Sequence, residues 1–418
     1  MGSKYYESPF KLTMKDLQYL LAKELKSNLE VVNFRTEGLT KPGDNYGSTI
    51  FAVEVTCKEN SDEPIHNLSL VVKLMPLSEF LCDVFNIGIT FNKEVRTYVL
   101  VCPELKRLQE ETGIKRDKML NIFPKFYGAR TNIQENLFEE ADHSAVLLLE
   151  NLKTAGYIVG DPKKGLDLKH LRFVVTQLAR FHALTLALKF RKPKVFKETI
   201  LKACEKYRLG SKFIKMLIST TLRDVEAVLD CTPYIKRMEN KIEAGLEVEF
   251  VSRPVPKEPF ATMLHNDLWL SNMLFKYDSN TNNEIPIGMK FVDYQLVVYD
   301  SPVRDLLFFL FTSSAEGLLE EHLDNLIHLY HEELVKQLKK LHCNIRTFSL
   351  SNLQEELNGY ALREFPYILF MLRVISGEND DSESSPESDI DLFNSNIGEA
   401  YLRRLRSLIL IYVNKGWL

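Results

Sequence analysis

The run LHNDLWLSNMLF places His265, Asp267 and Asn272 at H-x-D-x4-N spacing among mostly apolar residues. A carboxylate and an amide five residues apart suit phosphoryl transfer. The Asp accepts the proton of an attacking hydroxyl, and the Asn holds a metal ion. A curled loop would turn both oxygens to one side, which makes Asp267 the candidate base and Asn272 a candidate metal ligand. His265 reads as the residue that orients this loop, a core histidine bonded to a backbone carbonyl, and not as a proton acceptor. The spacing alone is weak, because composition can produce it by chance.

Three further residues would complete such a site. Asp293 in FVDYQ ends a strand-like run downstream of Asp267. Magnesium bound to phosphates takes one or two carboxylates plus amide or water oxygens, and Asp293 with Asn272 would supply them. The alternative for Asp293 is a turn residue after a strand. Lys73 lies inside the apolar run VVKLM. Burying it unpaired is unfavourable, so it calls for phosphates and a carboxylate. Glu94, within an expected helix, is the natural partner, and Glu79 is placed in the connecting turn. Otherwise Lys73 is an edge-strand lysine running its ammonium to water. The turn Gly43-Asp44-Asn45-Tyr46-Gly47-Ser48 could cradle phosphates with backbone N–H groups. By itself it is only a hairpin turn.

Several elements must position these residues. Residues 10–29 are expected to form an amphipathic helix, from the spacing of Leu12, Leu17, Leu20, Leu21 and Leu25. Strands are expected at Leu29–Phe34, FAVEV, LSLVVKLM, IFPKFYGAR and AVLLLENL, with a helix around Asn92–Gln109. From residue 168 the pattern turns helical, beginning with the long amphipathic run LKHLRFVVTQLARFHALTLALKF. Residues 196–248 read as further helices. The loop around Asp267 is followed by a short hairpin that ends at MKFVDYQLV, and DLLFFLFTS opens more helices. Residues 377–390, GENDDSESSPESDI, are acidic and nearly free of apolar side chains, which predicts a solvated loop or disordered insert open to serine phosphorylation. Two helices are expected to close the chain. Sheet first and helices second is an α+β, two-lobed layout. It divides into an N-terminal lobe over 1–152 and a helical lobe over 153–418, with the ligand site in the cleft between.

The whole chain sets the class. With 418 residues, 45% of them hydrophobic, a large core is affordable. The net charge of −4 carries no basic block, so neither nucleic acid nor an anionic membrane is the expected partner. The six cysteines are scattered and form no CxxC pair, and Met1–Phe10 lacks the apolar core of a signal peptide. Reduced thiols in a cytoplasmic protein are therefore expected. The apolar runs at Leu306–Phe311 and Leu408–Val413 are too short to span a bilayer.

The order of these parts is that of a protein-kinase-like chain, and here a family resemblance enters. GDNYGS, VVKLMP, FNKEVRTYVLVCPEL, FPKFYGA, LLLENLKTAGYIVGDPKKGLDLKHLRFVVTQLARFHALTLAL, LHNDLWLSNMLFKYD and FVDYQLVVYDSPVRDLLFFL cover about residues 43 to 312. They resemble the ecdysteroid kinase-like, or CHK kinase-like, family of insects, which is related to choline kinases and aminoglycoside phosphotransferases. The resemblance implies a protein-kinase-like two-lobed fold and a kinase dependent on ATP and magnesium. It implies that Asp267 is the base, that Asn272 and Asp293 bind magnesium, and that Lys73, braced by Glu94, holds the α- and β-phosphates. It places Asn45 and Ser48 in the phosphate loop, gives Glu150 and Leu152 backbone contacts to adenine at a hinge over 148–152, and has Asp305 tie down the catalytic loop. The implied acceptor is an alcohol, an ecdysteroid or a similar hydrophobic molecule. The alternatives are a choline- or ethanolamine-type kinase and a catalytically silent binding protein of the same fold. Phe308, Phe309, Phe311, Phe365 and Phe370 lean towards an apolar acceptor pocket, unless they are simply core. Asn266 departs from the family, where Gly is usual, and so does Asn151, where Asp is usual. Asn tolerates the backbone angles for which Gly is used.

Overall fold

The computed structural model describes residues 12–25, 29–39, 48–58, 65–76, 78–205, 219–220, 222–246, 255–278, 286–376 and 398–418. The expected turn Gly43–Gly47, which includes Asn45, and the acidic insert 377–390 lie outside these residues.

The first part of the chain is an antiparallel sheet covered on both faces. Helix α1 (Met14–Leu25) precedes β1 (Glu30–Gly38), β2 (Thr49–Lys58) and β3 (His66–Leu74). After helices α2 (Glu79–Phe85), α3 (Ile87–Arg96) and α4 (Cys102–Glu111) come β4 (Phe126–Arg130) and β5 (Val146–Glu150). The sheet order is β1-β2-β3-β5-β4. Alternation along β3 decides what each face sees. Leu70, Val72 and Leu74 join Leu17, Leu20 and Leu21 of α1 in one core. Lys73 points the other way. Each buried leucine of α1 contributes roughly 2 kcal/mol, enough together to dock the helix. The approach is close at Gly128 of β4: a Cβ there would lie 2.9 Å from the Leu20 carbonyl oxygen.

The expected helix at Asn92–Gln109 is longer and interrupted. A π-helical turn at Thr97–Val101 joins α3 to α4. Glu79 is not in a turn but in the first turn of α2, because the Ser78 hydroxyl accepts from the Leu81 N–H and starts a helix there.

The rest of the chain is mainly helical. Helix α5 (Leu168–Arg191) is less amphipathic than expected, since most of its second half is buried on all sides. Helix Val303–Ser313 is buried along its whole length. Phe308, Phe309, Phe311 and Phe365 are core residues, and Phe370 packs against that core, so they supply no argument for an apolar acceptor pocket. Helices Leu318–Lys340 and Leu350–Ser376 follow. Among the described residues one helix, Glu399–Asn414, closes the chain, not two. Its apolar positions from Tyr401 to Tyr412 form a single buried stripe, which one helix satisfies. No helix among the described residues is long and apolar enough to cross a membrane.

Two small sheets hold the H-x-D-x4-N loop. Strand β7 (Thr262–Leu264) pairs antiparallel with β10 (Val298–Asp300). Strands β6 (Ile158–Val159), β8 (Met273–Tyr277) and β9 (Pro286–Phe291) form the other sheet, where β8 and β9 are the expected hairpin. The loop is therefore anchored at Leu264 on one side and Met273 on the other, and Asp293 follows the end of β9.

Candidate active site

Lys73, Glu94 and Asp293 meet in space. Lys73 Nζ donates to Glu94 Oε2 at 2.6 Å and to Asp293 Oδ1 at 2.9 Å. Lys73 and Glu94 are both buried, and Asp293 is partly exposed. Lys73 is thus not a surface lysine running to water. Burial opposes its charge, but Asp293 and then Glu94 outweigh that and raise its pKa above the ordinary lysine value. Burial pushes the Glu94 carboxyl up, and Lys73 works against the rise. The second oxygen of Glu94 accepts from the Tyr294 N–H at 3.2 Å. One carboxylate of α3 therefore holds both the strand lysine and the backbone just after Asp293.

Asp267 and Asn272 face each other across the loop. Asn272 Nδ2 donates to Asp267 Oδ2 at 2.8 Å and to the Asp267 carbonyl at 2.9 Å. The Val292 N–H donates to the Asn272 carbonyl at 3.0 Å, which ties this loop to the backbone just before Asp293. Burial, then the nearby Asp293 carboxylate, push the Asp267 carboxyl well above the usual carboxylate range. A cation between the two would relieve that repulsion. The donor set fits magnesium. The Asn272 amide spends its N–H on Asp267, which leaves Oδ1 for a cation, and Asp293 spends Oδ1 on Lys73, which leaves Oδ2. Both are hard oxygens of the kind magnesium takes alongside phosphates and water.

Asp305 holds the loop from below. Its two oxygens accept from the backbone N–H groups of His265 and Asn266, each at 2.7 Å. Burial opposes its ionisation, yet His182, His265 and the Asn266 N–H hold its pKa below the usual value. His265 Nε2 donates to the Val292 carbonyl at 3.0 Å, and its Nδ1 has no hydrogen-bond partner among the described residues. Burial holds the imidazole below its ordinary pKa. The ring is thus a buried core group bonded to a backbone carbonyl. Asn266 and Asp293 both adopt left-handed backbone angles, with φ of 63° and 66°. Asn266 thus takes a conformation for which Gly is commonly used.

The remaining expected residues lie along the sheet. Ser48 is buried just before β2, where Thr49 pairs with Leu74 and Ile50 with Lys73. Glu150 pairs with Leu70, roughly 10 Å along β3 from Lys73. Its N–H donates to the Lys125 carbonyl at 2.9 Å. Leu152 is buried and its carbonyl accepts from the Tyr157 N–H. Sequence reasoning missed His182 and Tyr330. His182 Nε2 lies 3.2 Å from Asp305 Oδ2, and its Nδ1 lies 2.7 Å from the Tyr330 hydroxyl. The signal was there: a histidine in the apolar run FHALTL raises the same burial question as Lys73.

The chain has distant likenesses among known proteins. Among solved structures the chain is similar to spectinomycin phosphotransferase in complex with ADP and spectinomycin (13% identity, 97% of this chain and 98% of that one, TM-score 0.40). It is similar to an ethanolamine kinase of Plasmodium vivax (10% identity, 99% and 94%, TM-score 0.41). A third is an amicoumacin kinase bound to AMP-PNP and Ca2+ (11% identity, 90% and 90%, TM-score 0.43). No curated protein matches the sequence. The family assignment rests instead on the sequence model of the ecdysteroid kinase-like family, which matches residues 42–343. That span is well over half of the chain and includes every residue named above as a candidate for the site. The chain belongs to the ecdysteroid kinase-like family and is a phosphotransferase acting on the hydroxyl of a small molecule.

Proposed function

We propose that the chain transfers the γ-phosphoryl group of ATP, with magnesium, to a hydroxyl of an ecdysteroid or a similar hydrophobic alcohol. One observation carries the nucleotide part of this reading: a buried lysine shared between Glu94 and Asp293 at 2.6 and 2.9 Å, next to the Asp267–Asn272 pair. The choice of acceptor rests on the family's named substrate alone.

In this reading residues 1–152 form the nucleotide lobe, residues 153–418 the catalytic and acceptor lobe, and 148–152 the hinge. Asn45 and Ser48 belong to the phosphate loop. Glu150 and Leu152 contact adenine through backbone groups. For Leu152 this is supported by an N–H that has no hydrogen-bond partner among the described residues. Lys73 leaves Asp293 to hold the α- and β-phosphates, and Glu94 keeps its ammonium in place. Asp267 accepts the proton of the acceptor hydroxyl as that oxygen attacks phosphorus. Asn272 and Asp293 hold the metal, which when bound neutralises charge on the transferring phosphoryl group. Catalysis of this kind is mostly positioning and electrostatic stabilisation, which is what a loop pinned at Leu264, Met273 and Asp305 provides.

The test is a panel of steroid and polar alcohols with ATP and magnesium, read by ADP release and by mass-spectrometric detection of a phosphate adduct. The expected result is an adduct on a steroid alcohol that Asp267→Asn abolishes while ATP still raises the melting temperature. Full turnover by Asp267→Asn would remove Asp267 as the base. Stabilisation by ATP without turnover on any acceptor would favour a silent binding protein, and adducts only on choline or ethanolamine would move the acceptor class.

A further inference from the structure

Behind the loop lies a second set of polar groups, all of them buried. Asp305, His182 and Tyr330 come from three helices, Val303–Ser313, α5 and Leu318–Lys340. Their fractional exposures are 1%, 0% and 0%. The contacts run in series: the Tyr330 hydroxyl to His182 Nδ1 at 2.7 Å, His182 Nε2 to Asp305 Oδ2 at 3.2 Å, and the Asp305 oxygens to the N–H groups of His265 and Asn266.

With His182 neutral, one pattern of donors satisfies all of them. The Asp305 carboxylate can only accept, so His182 Nε2 must carry a proton. In a neutral imidazole Nδ1 is then the acceptor, and the Tyr330 hydroxyl must donate to it. Tyr330 can do so at any ordinary pH, because burial, followed by Asp305, raises its pKa well above that of free tyrosine. Without the hydroxyl, Nδ1 is left buried without its hydrogen-bond partner, and the imidazole keeps only its bond to Asp305. The Tyr330 contact therefore governs how firmly His182 holds Asp305.

What Asp305 holds is strained. Asn266 sits at φ 63°, a region that favours glycine. The N–H of Asn266 is bonded to Asp305 Oδ1, and Asp267 is the next residue. If Asp305 shifts, Asn266 can relax towards ordinary backbone angles, and Asp267 turns with it.

We propose that Tyr330 and His182 are positioning residues: they fix the orientation of Asp305, and through it the strained backbone of Asn266 that aims Asp267. This rests on the reading of Asp267 as the base. The relay acts on the geometry of the loop and not on nucleotide contacts, so it predicts loss in kcat with little change in KM for ATP.

The test uses the full chain, with basal ATP hydrolysis, water being the acceptor, read as ADP release, and with 15N shifts of histidine in labelled protein. In the unaltered chain one buried histidine besides His265 should show the Nε2–H tautomer. Tyr330→Phe should shift the Nδ1 resonance of that histidine and lower kcat about tenfold, equal to about 1.4 kcal/mol, with KM for ATP within about twofold. Adding Asn266→Gly should shrink the tenfold effect to about threefold or less, because glycine takes that backbone conformation without support. An unshifted Nδ1 resonance, unchanged kcat, or an equal loss with Asn266 and with Gly at that position would overturn the proposal. Asp267→Asn, run alongside, separates the two readings. If that variant still hydrolyses ATP fully, the base assignment fails whatever Tyr330→Phe does. If it is inactive and Tyr330→Phe is not impaired, only the relay fails. Should Tyr330→Phe not fold, His182→Gln replaces it, since an amide keeps both a donor for Asp305 and an acceptor for Tyr330. It should retain kcat within about threefold while His182→Leu loses about tenfold or more. Equal losses in these two overturn the relay, and so does failure of all three variants to fold, which would leave the pair a role in stability alone.

Discussion

Glu94→Gln probes the centre of the site with a small change of shape. Glu94 receives Lys73 at 2.6 Å and the Tyr294 N–H at 3.2 Å. Removing its charge leaves Lys73 with Asp293 as its one carboxylate partner. The gross attraction lost is about 6 kcal/mol at 2.6 Å and an effective dielectric near 20. Breaking a buried pair costs about 3–5 kcal/mol net. Asp293, at 2.9 Å, retains part of the compensation, so about 2 kcal/mol is expected. With unfolding entropy of about 2.1 cal/mol/K per residue, a chain of 418 residues has roughly 0.9 kcal/mol/K. The melting temperature should then fall by about 2 °C. The effect on activity should be larger than that modest shift implies. Lys73 would be drawn onto Asp293, away from the phosphates, and Asp293 would be held off the metal. A loss of about 2 kcal/mol in transition-state stabilisation is roughly 30-fold in kcat/KM for ATP. Scanning calorimetry and initial rates of ADP release measure both. A variant with unchanged melting temperature and unchanged kcat/KM would falsify the view that Glu94 holds Lys73 for the nucleotide.

Other consequences can be checked directly. Asp305→Asn replaces an acceptor of two backbone N–H bonds with a group that meets one of them donor to donor. Hydrogen bonds to charged groups are worth about 1.5–3 kcal/mol, so a loss of about 3 kcal/mol in a denaturant titration and near-complete loss of turnover are expected. ATP should raise the melting temperature with magnesium present and do so far less after chelation with EDTA, because Asn272 and Asp293 then lose the cation that links them to phosphate. Gly165→Ala should destabilise by at least about 2 kcal/mol, since φ is +71° and a Cβ would lie 2.6 Å from the backbone of Ser314 and Ala315. Its melting temperature tests this. At the start of α1, burial opposes ionisation of Asp16, but Thr13 and Arg130 prevail and hold its carboxyl below the usual aspartate range. A depressed carboxyl stabilises the fold above its unfolded pKa, and that contribution is lost as the pH falls through the folded value. The stability gap between the unaltered chain and Asp16→Asn should therefore be full at neutral pH and close progressively below about pH 4.

The sequence by itself determined which residues could do chemistry and in what order they come. Lys73 in an apolar strand, Glu94 in a helix, and H-x-D-x4-N followed by a strand-end Asp could be read because periodicity and burial cost act over short windows. The same local reasoning placed the strands of the first sheet and the hairpin after Asn272. It went wrong at Glu79, where a Ser78 cap turned an expected loop into a helix, and it could not tell the phenylalanines of helix Val303–Ser313 from pocket lining. Only the tertiary structure decided those points, because each depends on what packs against the element from elsewhere in the chain. Tertiary structure also decided that Lys73 is shared by Glu94 and Asp293. It set Asn266 in a left-handed conformation, and it joined His182 and Tyr330 to the loop through Asp305. These are contacts between residues from 21 to more than 200 positions apart. No local pattern encodes them, since their geometry exists only once the sheet and the helices have closed around the same buried groups.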